Sequence, residues 1–215
     1  MLLEGSSLEM NGKELWIRLP GRFNAVNMLA VYGAALLSGH QEEEVLSALS
    51  QLDPVRGRFE TIRGKDGRTG IVDYAHTPDA LSHILESIGE LSKEGSKVIT
   101  VVGAGGNRDR EKRPKMARIA AGASHRLILT SDNPRDEDPE QILDEMMEGI
   151  PARLRERVLR IPDREEAIRT ACMLAGENDT VLVAGKGHEQ YQLVGGVKKD
   201  FNDRRILEQN LRHGV

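Results

Sequence analysis

From Phe59 onward, short runs of β-branched and apolar residues alternate with longer stretches whose apolar positions recur every three or four residues. The short runs predict strands at Phe59 to Arg63, Gly70 to Asp73, Lys97 to Val102, Arg126 to Thr130, Val158 to Ile161 and Thr180 to Ala184. Between them, Leu81, Ile84, Leu85, Ile88 and Leu91 mark one helix face, and Met116, Ala117, Ile119, Ala120 and Ala121 a second. Ile142, Leu143, Met146 and Met147 mark a third, and Ala167, Ile168, Ala171, Leu174 and Ala175 a fourth. Strand followed by helix, repeated, predicts an α/β domain with a doubly wound, mainly parallel sheet.

The pattern before that is different. Leu8 to Met10 and Glu14 to Arg18 flank Asn11-Gly12, a pair suited to the positive φ angles of a two-residue hairpin turn. An alanine- and leucine-rich helix running to Leu37 and a second helix from Gln41 to Leu52 follow. One hairpin and two helices make a poor core, so this part is expected to need a partner surface. Asp53-Pro54-Val55-Arg56-Gly57 punctuates the change, which predicts one unit over residues 1–53 and another over 54–215.

Composition narrows the function classes. A formal charge of −4 and a pI near 5.9 leave no electrostatic footprint for nucleic acid. A single cysteine, Cys172, excludes an internal disulfide framework and suits a reducing compartment. Met1-Leu2-Leu3 meets Glu4 and Gly5 at once, too short for a signal peptide, and no stretch has the length of a membrane span. The expectation is a cytoplasmic protein that binds neither nucleic acid nor membrane.

Candidate chemistry clusters after four of the predicted strands. The segments are Asp73-Tyr74-Ala75-His76-Thr77-Pro78, the glycine and arginine loop at 103–113, Ser131-Asp132-Asn133-Pro134-Arg135, and Gly185-Lys186-Gly187-His188-Glu189. A parallel sheet carries all four to one rim, where ligands bind in open α/β folds. Arg108 and Arg135 are placed to hold one carboxylate each, since a guanidinium offers two parallel donors, and Glu189 to receive an ammonium. That set suits an amino acid with more than one charged end. Each cluster also has a plain structural reading. Asp73 and Thr77 would cap a helix opening at Pro78, with His76 a packed loop histidine; the arginines would be a solvated face, and Asn133-Pro134 a turn. Neither glycine cluster has dinucleotide or P-loop spacing, and no metal-ligand spacing or serine nucleophile motif is present, so no catalytic residue and no metal site are assigned.

The stretches LPGRFNAVN at 19–27, RGRFE at 56–60, DYAHTPDAL at 73–81, GAGGNRDREKRPKM at 103–116, TSDNPR at 130–135, GKGHEQYQ at 185–192 and FNDRR at 201–205 resemble the carboxyl-terminal portion of Mur ligases of the MurE type. They cover nearly the whole chain in order. The resemblance implies the tail of a central ATPase domain over residues 1–53 and a Rossmann-like carboxyl-terminal domain over 54–215. Enzymes of this type are ATP-dependent cytoplasmic ligases that add the third amino acid to UDP-N-acetylmuramoyl-L-alanyl-D-glutamate in peptidoglycan synthesis. ATP phosphorylates the glutamate carboxylate, and the incoming amine attacks the acyl phosphate. By position, Asn24, Asn27, Arg58, Asp73 and His76 resemble the ATP side of the site. Arg108, Asn133, Pro134, Arg135, Asp136, Gly185 and Glu189 resemble the pocket for the added amino acid. The arginine of DNPR goes with meso-diaminopimelate in this family, so that amino acid is the implied substrate.

The family's UDP-sugar domain, phosphate-binding P-loop and magnesium ligands have no counterpart in these residues. The chain alone is therefore expected to be inactive, with ATP and magnesium belonging to the complete enzyme and the amino-terminal domains supplied elsewhere. A lysine-adding or other Mur ligase, and a non-catalytic binding module, are the alternatives.

Overall fold

The structure, a computed structural model, describes Leu3 and residues 5–213. Met1, Leu2 and Glu4, which enter the signal-peptide reading, lie outside the described residues. A six-stranded sheet runs through the larger part of the molecule. Its strands are β3 (Glu60–Arg63), β4 (Thr69–Asp73), β5 (Val98–Val102), β6 (Arg126–Leu129), β7 (Val158–Arg160) and β8 (Thr180–Ala184), in the spatial order β3-β4-β8-β5-β6-β7. Only β3 is antiparallel to its neighbour; the other pairings are parallel. The expected doubly wound sheet is present, and all six expected strands are found within a residue of their boundaries.

Helices cover both faces, as a sheet of nearly continuous apolar strands requires. On one face α3 (Pro78–Leu91), α4 (Lys112–Ala123) and α5 (Pro139–Glu148) bury Leu81, Ile88, Met116, Leu143 and Met146 against Ile71, Val102, Leu127 and Leu182. On the other, α6 (Arg164–Leu174) and α7 (Asp203–His213) bury Ile168, Cys172, Leu207 and Leu211 against Val72, Ile99, Val101 and Val183. Each such side chain contributes about 1.5–3 kcal/mol on leaving water. Alternation along β5 sends Ile99 and Val101 to one layer and Val98 and Val102 to the other, so one five-residue strand contributes to both.

The amino-terminal part has its own small core. β1 (Ser6–Met10) and β2 (Lys13–Ile17) form the hairpin expected from Asn11-Gly12, whose φ angles are +50° and +75°. Met10, Leu15 and Ile17 pack on Met28 and Tyr32 of α1 (Arg22–Leu37) and on Val45 and Leu49 of α2 (Glu42–Ser50). Several large apolar residues of this part, Trp16, Phe23, Val26, Leu29, Val31 and Leu37, are exposed, Leu37 at 92%. That agrees with the poor core expected of this unit.

Two strands escape the hydrophobic pattern. β9 (Tyr191–Val194) and β10 (Val197–Asp200) form a hairpin, and α7 closes the chain. Lys198, Lys199 and Asp200 lie fully on the surface, so no polar–apolar alternation announces the strands. The available signal was Gly195-Gly196, with φ of +54° and +74°, a hairpin dipeptide.

Candidate amino-acid site at the sheet rim

The strand register decides where the site forms. Asp73 pairs with Ala184, Ala184 with Val102, and Val102 with Leu129, so β4, β8, β5 and β6 end at one level. The four polar loops leave from that row side by side. They enclose a cavity of about 210 Å³ lined by Tyr74, His76, Gly103, Ala104, Gly105, Arg108, Lys112, Asp132, Asn133, Arg135, Gly185 and Glu189.

Glycines allow the loops to meet. A Cβ on Gly103 would stand 2.3 Å from the Thr130 carbonyl oxygen, and one on Gly106 only 1.9 Å from that of Pro134. The glycine loop thus lies backbone to backbone on the loop after β6, fastened by the Gly106 N–H donating to the Asn133 carbonyl at 2.9 Å. Of the five basic residues at 108–115, Arg108 and Lys112 reach the cavity. Arg113 is fully buried and is held by Glu137 and Glu145 at 2.7–2.9 Å, and Arg110 also pairs with Glu145. Lys115 is exposed near Glu111. The hydrogen bond from Arg113 holds the Glu137 carboxyl down at about 2.

The loop after β6 is both a turn and a site. Arg135 has φ of +55°, and the Glu137 N–H closes the turn onto the Pro134 carbonyl at 3.1 Å. Arg135 Nη1 donates to the Gly106 carbonyl at 2.7 Å; its Nη2 has no hydrogen-bond partner among the described residues. The unexpected strand β9 braces this loop from outside. Gln192 Nε2 donates to the Asp132 carbonyl at 2.8 Å, the Leu193 N–H to Asn133 Oδ1 at 2.9 Å, and the Arg135 N–H to the Leu193 carbonyl at 2.9 Å.

Glu189 presents one oxygen to the cavity. Its Oε2 accepts from Asn133 Nδ2 at 2.8 Å and from the fully buried Lys186 Nζ at 3.0 Å, while Oε1 has no partner among the described residues. Burial pushes the carboxyl up, but those two hydrogen bonds and the charges of Lys186 and Arg135 together bring it below its usual value. Lys112 is lowered as well, here by burial, and its Nζ donates to the His76 carbonyl at 3.0 Å. The walls therefore carry both signs, Arg108, Lys112 and Arg135 against Asp132 and Glu189.

Residues 57–187 match the family model for the Mur ligase, glutamate ligase domain, which is more than half of the chain. The chain belongs to the Mur ligase family. The UDP-N-acetylmuramoyl-L-alanyl-D-glutamate–2,6-diaminopimelate ligase of Bacteroides thetaiotaomicron is 56% identical over 206 residues, 96% of this chain and 43% of that relative. The ligase of the same name from Cytophaga hutchinsonii is 52% identical over 97% of this chain and 43% of its own length. A solved structure of a ligase bearing that name superposes with a TM-score of 0.72 at 37% identity, covering 98% of this chain and 43% of the other. The folylpolyglutamate synthase of Thermotoga maritima, at 24% identity and a TM-score of 0.61, shares the fold. The chain thus spans less than half the length of these Mur ligase relatives.

Against that frame, the structure brings Arg108, Asn133, Arg135, Gly185 and Glu189 together and leaves Pro134 and Asp136 outside the cavity. The Pro134 carbonyl is turned onto Gly106, and Asp136 is exposed, accepting from Asn107 Nδ2 at 3.0 Å. Of the residues expected on the ATP side, His76 lines the cavity and Arg58 lies 4.8 Å over the ring of Tyr74, which also packs edge-on to His76. Asp73 does not cap α3; Thr77 does, accepting from the Ala80 N–H. Asp73 instead ties the end of β4 to the residue before β3, accepting from the Phe59 and Ala75 N–H groups at 2.7 Å, and burial raises its carboxyl. His76 is exposed rather than buried, with Nδ1 against the Tyr74 carbonyl at 2.8 Å. Asn24 and Asn27 do not line the cavity; Asn24 Nδ2 donates to the Pro20 carbonyl and Asn27 is exposed on α1. Sequence reasoning left out Asp132, Lys112 and Tyr74, although each belongs to a segment already singled out. Among the described residues no three His, Cys, Asp or Glu groups stand in metal-ligand geometry.

Proposed function

We propose that this chain is the amino-acid-binding part of an ATP-dependent ligase that joins meso-diaminopimelate to UDP-N-acetylmuramoyl-L-alanyl-D-glutamate in cytoplasmic peptidoglycan synthesis. The observation that carries the reading is the mixed-charge cavity at the strand ends, with Arg135 and Glu189 presenting an unspent donor and an unspent acceptor. Arg135 takes the distal carboxylate of diaminopimelate, Glu189 Oε1 the distal ammonium, and Arg108 the carboxylate beside the reacting amine. Asn133 and Gly185 shape the wall, and Asp132 joins them. A lysine ligand has no second carboxylate and strands the Arg135 guanidinium, which costs on the order of 1–3 kcal/mol.

ATP and the UDP-linked dipeptide complete the reaction as substrates. Phosphorylation of the glutamate carboxylate makes it an electrophile for the amine, and collapse of the tetrahedral intermediate gives amide and phosphate. Tyr74, Arg58 and His76 form a stacked polar face beside the cavity, suited to the nucleotide side, with Asp73 holding the Phe59 backbone. Residues 1–53 belong, in this reading, to the ATPase domain, whose remainder covers the exposed side of α1. Magnesium and the phosphate cradle come from that remainder.

Calorimetric titration of the chain with meso-diaminopimelate, with L-lysine as paired control, tests the proposal. Saturable binding of diaminopimelate, weakened roughly tenfold or more by Arg135→Ala, is expected. Equal affinity for the two ligands, or an Arg135→Ala variant that binds as the parent does, would sink it.

A further inference from the structure

We propose that Lys186 is a positioning residue that sets the cavity's selectivity for a second ammonium without touching the ligand, by holding Glu189 and Asn133 from behind. The inference rests on the reading of the cavity as an amino-acid pocket.

Lys186 is 0% exposed and is absent from the cavity lining, so it cannot meet a ligand there. Its ammonium donates to Asn133 Oδ1 and to Glu189 Oε2, both at 3.0 Å, and lies 5.6 Å from the centre of the Tyr191 ring. A fully buried ammonium is costly unless paired, and these contacts supply its pairing.

The contacts have a directional consequence. With Oδ1 turned to Lys186 and the Leu193 N–H, Asn133 can offer only Nδ2 to Glu189, and it does so at 2.8 Å. Both donors then converge on Oε2, leaving Oε1 to the cavity. The backbone builds this arrangement: Gly185 and Gly187 take φ of +116° and +52° on either side of Lys186, and the Glu189 N–H closes a turn onto the Lys186 carbonyl at 2.9 Å. Without the buried ammonium, Glu189 keeps one of its two anchors and is free to swing to Arg135. The wall then offers neither a fixed acceptor for an ammonium nor an unspent guanidinium.

The test uses two ligands that differ only in that group. meso-Diaminopimelate carries two ammonium groups, whereas 2-aminopimelate keeps both carboxylates and one ammonium. For Lys186→Met in the 215-residue chain, calorimetry is expected to show the affinity ratio of diaminopimelate to 2-aminopimelate falling roughly tenfold or more. General loosening of the fold would weaken both ligands alike and leave the ratio unchanged, which overturns the inference. A crystal structure of the variant with Glu189 still on Asn133 and Oε1 in its original place would also overturn it. Where Lys186→Met does not fold, Glu189→Gln and the double variant Glu189→Gln/Lys186→Met carry the test, because no carboxylate is stranded. Equal ratios for these two support action through Glu189, and a further fall in the double variant refutes it. If the parent chain binds neither ligand while Glu189 moves in Lys186→Met, the amino-acid reading falls and the positioning role stands.

Discussion

Arg113→Met removes a guanidinium with no solvent exposure and leaves two carboxylates facing the space it filled. Arg113 makes three hydrogen bonds of 2.7–2.9 Å to Glu137 and Glu145 and a longer one, 3.3 Å, to the Gly105 carbonyl. Removing one partner of a buried pair costs about 3–5 kcal/mol. Glu137 and Glu145 keep 21% and 19% of their side-chain surface, so water screens part of the stranded charge and the lower end, roughly 3 kcal/mol, is expected. In a chain of this size that lowers the melting temperature by roughly 6–12 °C. The loss must also depend on pH. Glu137 is held at about 2 against an ordinary 4.5, so its contribution is complete above the higher value and vanishes as pH falls through the lower one. The variant lacks that contribution. Thermal melts followed by circular dichroism should therefore show the widest gap between parent and variant near neutral pH, narrowing from about 4.5 down toward 2. A gap below about 2 °C at neutral pH, or one that stays constant through that window, would refute the assignment of Arg113 as the charge that binds the glycine loop to α5.

Three further outcomes are expected. Gly106→Ala would put a Cβ 1.9 Å from the Pro134 carbonyl oxygen, so it should force the two loops apart and cost about 1–3 kcal/mol; an unshifted melting curve would contradict this close approach. Arg164→Met strands Asp203, fully buried at 2.7 Å, and frees the Ala184 carbonyl beneath the cavity, so a loss of about 3–5 kcal/mol is expected in chemical denaturation, and a loss below 1 would count against a buried ion pair. Cys172 is 1% exposed and burial pushes its thiol up to about 12, so a thiol reagent at neutral pH should label it only at the rate of unfolding; immediate labelling of the folded chain would be inconsistent with that burial.

Much of the fold was legible because strand and helix periods are local properties. Val98 to Val102 is β-branched throughout, apart from Thr100 apolar, and bounded by Gly103, and α3 carries its capping threonine, its Pro78 and its buried Leu81-Ile84-Leu85-Ile88 stripe within fourteen residues. The rim of four loops was legible too, since parallel strands separated by helices must all end on one side. The β9–β10 hairpin was not legible by period, because its strands pair with each other at the surface and have no buried face to demand alternation. Its role as the brace for Asp132, Asn133 and Arg135 depends on hydrogen bonds, two between side chain and backbone and one between backbones, that join residues more than fifty positions apart.

The same division runs through the site. The chemical types needed, arginines, a glutamate and close-packing glycines, and the segments that carry them, were determined by the sequence, together with the family to which they belong. Which basic residues face the cavity was decided only in three dimensions. Arg108 and Lys112 reach it, while Arg113, one position further along α4, is turned inward to Glu137 and Glu145. A helical step of one residue rotates a side chain by about 100°, and where that rotation points depends on what is packed alongside. Likewise Asp132 lies in the wall and Asp136 outside it, because the positive φ at Arg135 turns the chain between them. Charge and spacing are written residue by residue; the direction in which a charge faces is a property of the packed neighbours.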